Sequence, residues 1–418
     1  MTVSYSEFAK SVQPEGAFEV LAVAKRLIAA GKKIYELEIG DSPFPTPSAA
    51  REAGIEALNR DQCHYGPSAG LEEFRRAASD YANREYKLQT SFKNVIAGPG
   101  AKTFQLLFCE TFLNASDGVL VFTPHFPTYS ANIARRDARM VLAPLEEKHQ
   151  FRPRADAVKH FLDTDDSPKA IFLNTPHNPT GGVATATDLA AIADALRGSD
   201  IAVFSDEPYD QMAWQGAHHS IYAEPGMQDQ VVAAYTFSKS FSMSGWRIGF
   251  AIASEATINY FDSLTNTVIS CVPPFTQIAG IAALESARAE RDEMMSSFRE
   301  KLRFMVDALN NIEGINCLLP GGSFYVFPNV KQVCNQKRIT SHGLAMYLLE
   351  AAHPDTGVAC LGGECFGTAG GGFIRLSSSL PTEQLLAAID FIKDTVCNDI
   401  AIEAYLGNYP NYRLEHPY

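Results

Sequence analysis

A lysine stands directly after an apolar run in the segment Thr236–Phe250, which reads TFSKSFSMSGWRIGF. The run Val232–Thr236 is predicted to be a buried strand, and the carboxyl ends of such strands are where α/β sheets bind ligands. The small hydroxylated and apolar neighbours of Lys239 favour its neutral amine. The segment therefore predicts an amine that bonds to a carbonyl carbon, and Arg247 follows eight positions further along the chain. A surface lysine at a strand end is the alternative.

The segment Ala202–Asp210, AVFSDEPYD, ends a second apolar run with a carboxylate. A buried carboxylate is costly unless it faces a cation, and a protonated pyridine nitrogen would serve. At about 4 Å and an effective dielectric constant of about 20, that attraction is about 4 kcal/mol before desolvation. Asp206 is thus a candidate partner for a heterocyclic cation, and Tyr209 adds a phenol nearby. A helix-capping Asp206 at a strand–helix junction is the alternative.

The segment Leu173–Gly182, LNTPHNPTGG, predicts a turn that holds the Asn178 amide still. His177 beside it could carry a proton, but a structural role is favoured. Taken alone, the segment is only a turn.

The segment Val95–Thr103, VIAGPGAKT, predicts a strand that passes through Gly98 and Gly100 into a helix. Backbone N–H groups at a helix start bind phosphate readily. The segment is not a Walker A motif and lacks the third glycine of a dinucleotide fingerprint. Taken alone, it is a weak phosphate signal.

Short apolar runs alternate with helical patterns through the middle of the chain, which predicts an α/β layer fold with a mostly parallel sheet. Thr103–Leu113 and Thr187–Leu196 are two of the predicted helices, the second starting at Thr187 and stopping at Gly198. The predicted strands are Val95–Ala97, Val119–Phe122, Ala170–Leu173, Ala202–Ser205, Val232–Thr236 and Gly249–Ile252.

The pattern changes after about residue 285 to a long polar helix, Ser286–Asn311, and two strand-like runs, Phe324–Phe327 and Phe373–Ser377. Near the start, an amphipathic helix at Phe18–Ala30 precedes the apolar run Ile34–Ile39. Three parts are predicted: residues 1–45, which pack with the small domain and the site entrance, a large domain at 46–290, and a small domain at 291–418.

Composition narrows the class of protein and its partners. The chain has 418 residues, of which 46% are hydrophobic and 20% are charged, as is typical of globular proteins. Its net charge of −13 disfavours nucleic acid and anionic membranes as partners. It has no run apolar enough to cross a membrane and no signal-peptide core. The eight cysteines form no CxxC pair, so we expect a cytoplasmic protein with reduced thiols and no metal site.

The order and spacing of these segments closely resemble the class I/II aminotransferases, fold-type I enzymes that use pyridoxal 5′-phosphate. The resemblance covers nearly the whole chain. It implies a large domain with a mostly parallel central sheet between helices, plus a smaller α+β domain. The matching segments are Ile39-Gly40, Phe44-Pro45-Thr46-Pro47, Tyr65-Gly66-Pro67, Gly100-Ala101-Lys102, Phe126, Asn178, Asp206 with Tyr209, Lys239, Arg247, Gly321-Gly322-Ser323-Phe324-Tyr325 and Phe373-Ile374-Arg375-Leu376-Ser377.

The resemblance also implies roles toward the cofactor. Lys239 would bond covalently to pyridoxal phosphate and then move a proton at the substrate α-carbon. Asp206 would keep the pyridine nitrogen protonated, so that the ring is an electron sink. Asn178 and Tyr209 would donate to the phenolic oxygen, and Phe126 would stack on the ring. The implied phosphate-binding set is Gly100, Ala101, Lys102, Thr236, Ser238 and Arg247, with Tyr65 reaching in from a partner subunit.

The implied substrates are two small molecules, an L-amino acid and a 2-oxo acid. The implied enzyme is a homodimer with no nucleic-acid or membrane partner. Arg375 would bind the substrate α-carboxylate bidentately. Asn178 would brace that carboxylate, and Gly40 would line the entrance.

Several alternatives stay open from the sequence. The same residues could serve a β-eliminating C–S lyase or a cyclopropane-forming synthase. A regulatory aminotransferase-like domain is less favoured, because only about 15 residues precede the first predicted helix and the charge is acidic. Lys102 sits where some relatives bind a distal carboxylate, yet it could serve phosphate alone. The sequence assigns no role to the glycine-rich run Gly362–Gly372 or to the tail Asn408–Tyr418.

Overall fold

The computed structural model describes residues 3–12 and 15–418, and a seven-stranded sheet is its largest element. The strand order is β2-β8-β7-β6-β5-β3-β4, with β3 to β7 parallel and β8 antiparallel to both its neighbours. This confirms the α/β fold with a mostly parallel sheet. The strands are β1 (Lys33–Glu36), β2 (Val95–Gly98), β3 (Gly118–Thr123), β4 (Arg139–Pro144), β5 (Pro168–Asn174), β6 (Ala202–Asp206), β7 (Val231–Thr236), β8 (Gly249–Ile252), β9 (Tyr325–Val326), β10 (Thr356–Ala359), β11 (Leu361–Gly362) and β12 (Ile374–Ser377).

Helices cover both faces of this sheet, and other helices pack with the smaller sheets described below. One predicted helix start is wrong: α8 is capped by Thr185, whose hydroxyl accepts from the Asp188 N–H while the Asp188 carboxylate accepts in return. That capping box outcompetes Thr187 as the first residue. The α-helices are α1 (Glu7–Ser11), α2 (Gly16–Ala29), α3 (Ser48–Asn59), α4 (Glu72–Tyr86), α5 (Ala101–Phe112), α6 (Thr128–Ala134), α7 (Ala155–Thr164), α8 (Ala186–Leu196), α9 (Phe237–Ser240), α10 (Glu255–Val268), α11 (Pro274–Ser286), α12 (Arg288–Leu309), α13 (Lys331–Lys337), α14 (Ser341–Glu350), α15 (Thr382–Thr395) and α16 (Asp399–Asn408).

The central strands are apolar at consecutive positions because each face of the sheet has its own core. In β5, Ile171 and Leu173 join one buried cluster while Ala170 and Phe172 join the cluster on the opposite face. Successive side chains of a strand point to opposite faces, so a strand covered on both sides must be apolar throughout. The edge strand β4 is largely exposed, which is why its sequence did not predict a buried strand.

A third core lies around two smaller sheets. One has the antiparallel order β11-β12-β9, and in the other β1 pairs in parallel with β10, so residues near the start of the chain pair with residues near its end. The predicted boundary at residues 290/291 falls inside α12, and the three-part division stays a prediction.

Two absences hold for the described residues. Among them, no helix is both long enough and apolar enough to span a membrane. Within the same ranges, no three or more His, Cys, Asp or Glu side chains are grouped to hold a metal ion.

Candidate active site

A cavity of about 410 Å³ opens where the carboxyl ends of the central strands meet the small antiparallel sheet. This volume is in the range of small-molecule sites. Of the residues predicted from the sequence, Gly100 and Tyr65 do not line it. The predicted residues that do line it are Gly40, Ala101, Lys102, Phe126, Asn178, Asp206, Tyr209, Thr236, Ser238, Lys239, Arg247 and Arg375.

One end of the cavity is an anion cradle built by the start of α5. No side chain caps that helix, so its first N–H groups remain available to a ligand. The Arg247 guanidinium is held beside it by hydrogen bonds to the carbonyls of Pro99 (2.9 Å) and Ser244 (2.8 Å). Gly100 has φ +87°, and a Cβ there would lie 2.8 Å from Arg247 Nη2. The positive φ therefore favours glycine here, and a side chain would also displace the Arg247 guanidinium.

Asp206 ends β6 with its carboxylate fully enclosed. The Tyr129 hydroxyl donates to Oδ2 at 2.5 Å, while the buried Oδ1 has no hydrogen-bond partner. Burial raises the pKa of Asp206 to about 7, against the hydrogen bond from Tyr129 and the charge of Lys102, which lower it. An unpartnered buried acceptor calls for a donor from a ligand, preferably a charged one.

Arg375 on β12 is aimed by a chain of hydrogen bonds from the central sheet. Asn174, at the end of β5, donates to the Asp206 carbonyl (2.8 Å) and accepts from the Asn178 N–H (2.8 Å). Asn178 Oδ1 then accepts from Arg375 Nη1 at 2.9 Å, and the carbonyl of Glu38 accepts from Nη2 at 2.5 Å. Arg375 Nε is buried without a partner, so the guanidinium retains donor capacity for a carboxylate.

Lys239 sits in α9, immediately after β7, and its amine donates to the Gly40 carbonyl. Gly40 itself packs against the Tyr325 phenol so closely that a Cβ at residue 40 would overlap the ring hydroxyl. The hydroxyl groups of Tyr325 and Tyr209 lie 3.1 Å apart. Burial raises the pKa of the Tyr209 phenol, so it remains a protonated donor at neutral pH.

His177 does not line the cavity. Its ring is buried, and it shares a 2.7 Å hydrogen bond with Thr180 in the same turn. Burial lowers the pKa of His177 to about 3, so the imidazole is neutral. These contacts support the structural role that the sequence favoured.

The glycine-rich run Gly362–Gly372 packs beneath Arg375. The Phe366 ring lies 5.0 Å from the guanidinium carbon, and the Phe366 carbonyl accepts from the His125 N–H at 2.8 Å. Tyr418, at the end of the tail, fixes the run from outside, since its hydroxyl bonds to Glu364 and accepts from the Ser341 N–H. Both segments that the sequence left without a role thus support the wall behind Arg375.

Sequence reasoning missed four residues that shape the site. Asn174 acts through Asn178, and Tyr129 acts through Asp206. Tyr325 belongs to a matching motif, but the sequence assigns it no role. Glu15 also lines the cavity, although it is far from every motif in sequence. For Asn174 a signal existed, because a polar residue that ends a buried strand needs a partner.

The residues that line the cavity fit pyridoxal phosphate, and the structure of this chain alone supports that fit. The unpartnered Asp206 oxygen matches a protonated ring nitrogen, and the uncapped start of α5 beside Arg247 matches a phosphate. Lys239 provides the amine, and the half-buried Phe126 provides an aromatic wall.

Comparison with known proteins identifies the family. The family model described as aminotransferase class I and II matches residues 32–392. The aspartate aminotransferase of Pyrococcus horikoshii is 32% identical over 86% of this chain and 90% of its own length. A structure of Thermus thermophilus aspartate aminotransferase with maleate has a TM-score of 0.87 at 26% identity, covering 94% of this chain and 100% of that one. The alanine aminotransferase of Pyrococcus furiosus has a TM-score of 0.86 at 27% identity, covering 94% and 99%.

These relatives are named as aminotransferases, and the comparisons give no support for the eliminating lyase or the cyclopropane-forming synthase. The cofactor of the family is pyridoxal phosphate, which supplies an electron sink for the substrate α-carbon. The chain therefore belongs to the class I and II aminotransferases and is an enzyme that moves an amino group between an amino acid and a 2-oxo acid.

Proposed function

We propose that the cavity around Lys239 is the transamination site, with the roles that the resemblance implies. The supporting observation is that the Lys239 amine, the unpartnered Asp206 oxygen and the Arg375 guanidinium all face one cavity. Lys239 moves the proton at the substrate α-carbon. Asp206 holds the positive charge of the ring nitrogen, and Arg375, aimed by Asn178, binds the α-carboxylate.

The remaining predicted residues hold the cofactor in place. Asn178 and Tyr209 donate to its phenolic oxygen, and Phe126 covers its face. The phosphate is held by the backbone N–H groups of Ala101 and Lys102 and by the side chains of Thr236, Ser238 and Arg247, with Gly100 leaving room for the guanidinium.

A ¹⁵N-labelled panel of L-amino acids tests this function. Each donor is mixed with the holoenzyme and pyruvate, and the product is separated by mass spectrometry. We expect ¹⁵N-alanine together with the 2-oxo acid of the donor. Release of ¹⁵N-ammonia from a ¹⁵N-labelled cysteine conjugate, without ¹⁵N-alanine, would instead favour elimination.

We further propose a homodimer in which Tyr65 completes the partner's phosphate site. Tyr65 is 89% exposed and lies outside its own chain's cavity. Its loop is held against the segment between α10 and α11 by a hydrogen bond from the Gly66 N–H to Cys271 Sγ (3.4 Å). Exposed apolar side chains flank the loop, Leu58 at the end of α3 and Val268 at the end of α10. A second copy related by a twofold axis would cover this surface.

Mixing two variants tests the shared site. We expect Tyr65→Phe to weaken cofactor retention by about 1.5–3 kcal/mol, the contribution of one hydrogen bond to a charged group. Heterodimers of Tyr65→Phe and Lys239→Ala chains should regain one intact site, because the other site collects both changes. Activity is measured at a cofactor concentration that leaves Tyr65→Phe homodimers largely empty.

The control mixes tagged with untagged Lys239→Ala chains. Subunits exchange in this mixture, but no intact site can form. An active monomer by light scattering, or verified heterodimers without recovered activity, would contradict the shared site.

We also propose a cytoplasmic location, supported by eight cysteines that are all free of disulfides. Cell fractionation that recovers the enzyme with an oxidising compartment would contradict this.

A further inference from the structure

One wall of the cavity carries an ion pair between two distant parts of the chain. Lys102, in the first turn of α5, donates to the carboxylate of Glu15, which immediately precedes α2. Both residues line the cavity. The Glu15 side chain is 18% exposed and that of Lys102 is 47% exposed, so Glu15 is well sheltered.

The pairing matters because the cavity has few cations to offer a second carboxylate. Among the described residues, the cations that line it are Lys102, Lys239, Arg247 and Arg375. Arg247 is fixed beside the anion cradle, and Arg375 is aimed by Asn178. Lys239 is assigned to the reacting centre. Of these four side chains of one protomer, Lys102 is therefore the one left for a distal carboxylate, and Glu15 neutralises it.

Two aromatic rings lie on one side of the pair. The Lys102 amine lies 5.2 Å from the centroid of the Phe126 ring and 6.0 Å from that of Phe18. Ala17 and Ile39 also line this cavity. A substrate side chain directed here meets methyl and ring surfaces beside a charge pair that is already balanced.

We propose that the Glu15–Lys102 pair determines specificity, selecting amino acids with uncharged, largely apolar side chains. This inference rests on the proposed function. A distal carboxylate meets repulsion from Glu15 and must compete with it for Lys102, while a distal cation meets repulsion from Lys102. Either charged group would also give up water against the aromatic walls. An apolar side chain incurs neither cost.

Binding of non-reacting analogues separates this inference from catalysis. Succinate represents a dicarboxylic substrate and 4-methylvalerate an apolar one, and each is titrated into the holoenzyme by calorimetry. Glu15→Gln removes the charge that neutralises Lys102. Glu19→Gln is the matched control, since Glu19 is an exposed residue in the first turn of α2 that does not line the cavity. Using the ratio of the two affinities cancels changes that affect both ligands alike, including any effect on Asp206.

We expect the wild type to bind 4-methylvalerate more tightly than succinate. Glu15→Gln should shift the affinity ratio toward succinate by roughly tenfold, as expected for a released charge-assisted contact. It should shift the kcat/KM ratio of aspartate to leucine in the same direction. Glu19→Gln should leave both ratios unchanged.

A wild type that prefers succinate, or an unchanged ratio in Glu15→Gln, would overturn the inference. Preference for arginine over leucine as donor would overturn it as well. If no donor transfers its amino group while the analogue ratio still shifts, the proposed function fails and the pair's selectivity in binding is supported.

Discussion

Replacing Lys239 by alanine is expected to lower the rate of amino-group transfer by at least about 10²–10⁴-fold, the contribution of general acid–base catalysis alone. The Lys239 amine faces the cavity, and the other lysine that lines it, Lys102, is paired with Glu15 and is not placed to take over. Cofactor should still bind noncovalently, because the α5 cradle, Arg247 and Asp206 are untouched. The measurement is single-turnover kinetics with cofactor occupancy followed by absorbance.

Lys239→Arg is the matched variant, because arginine keeps the positive charge but cannot act as a base at neutral pH. It should be as slow as Lys239→Ala, and added methylamine should partly restore only the alanine variant, where space is available. Borohydride treatment of the wild type should fix the cofactor on the peptide that contains Lys239. Near-normal transfer by Lys239→Ala would exclude the assigned role.

Asp206→Ala should slow transfer by about 10²–10³-fold, since the lost attraction to the ring cation is about 4 kcal/mol before desolvation. The fold should survive, because the replaced carboxylate is a buried group with one oxygen unpartnered. The readouts are the cofactor absorbance against pH, the transfer rate and the melting temperature of the cofactor-free protein.

Two companion variants separate charge from packing. Asp206→Asn retains an acceptor for the Tyr129 hydroxyl but not the negative charge, so it should be nearly as slow as alanine. Tyr129→Phe removes a hydrogen bond that lowers the pKa of Asp206, so the acidic limb of the pH–rate profile should move to higher pH. An unchanged spectrum and rate in Asp206→Ala would leave Asp206 as no more than a structural cap.

The sheet could be predicted where its strands are buried on both faces, because a short, unbroken apolar run such as Ala170–Leu173 is typical of a strand covered by helices on both sides. The exposed edge strand β4 has no such signature. The predicted start of α8 is wrong because Thr185 and Thr187 are both residues that can cap a helix. The reciprocal hydrogen bonds between Thr185 and Asp188 decide in favour of Thr185.

Site residues could be predicted where a side chain able to do chemistry stands at or just after the end of a buried strand, as Asp206 and Lys239 do. Residues that position another site residue could not be predicted, because their role depends on contacts between segments far apart in sequence. Glu15 illustrates this limit: its partner Lys102 is brought to it by the packing of α2 against the cavity rather than by any local pattern. Tyr418 is similar, since its contacts with Glu364 and Ser341 depend on the folded tail.

Amino-group transfer at this site is tested most directly by the stoichiometry of the two half-reactions. The holoenzyme is incubated with the best ¹⁵N-labelled donor of the panel and no acceptor, freed of small molecules, and then given pyruvate. We expect one 2-oxo acid per bound cofactor in the first step, one ¹⁵N-alanine per bound cofactor in the second, and no free ammonia in either. Ammonia released in the first step, with no label recovered in alanine, would contradict the assignment of amino-group transfer to this site.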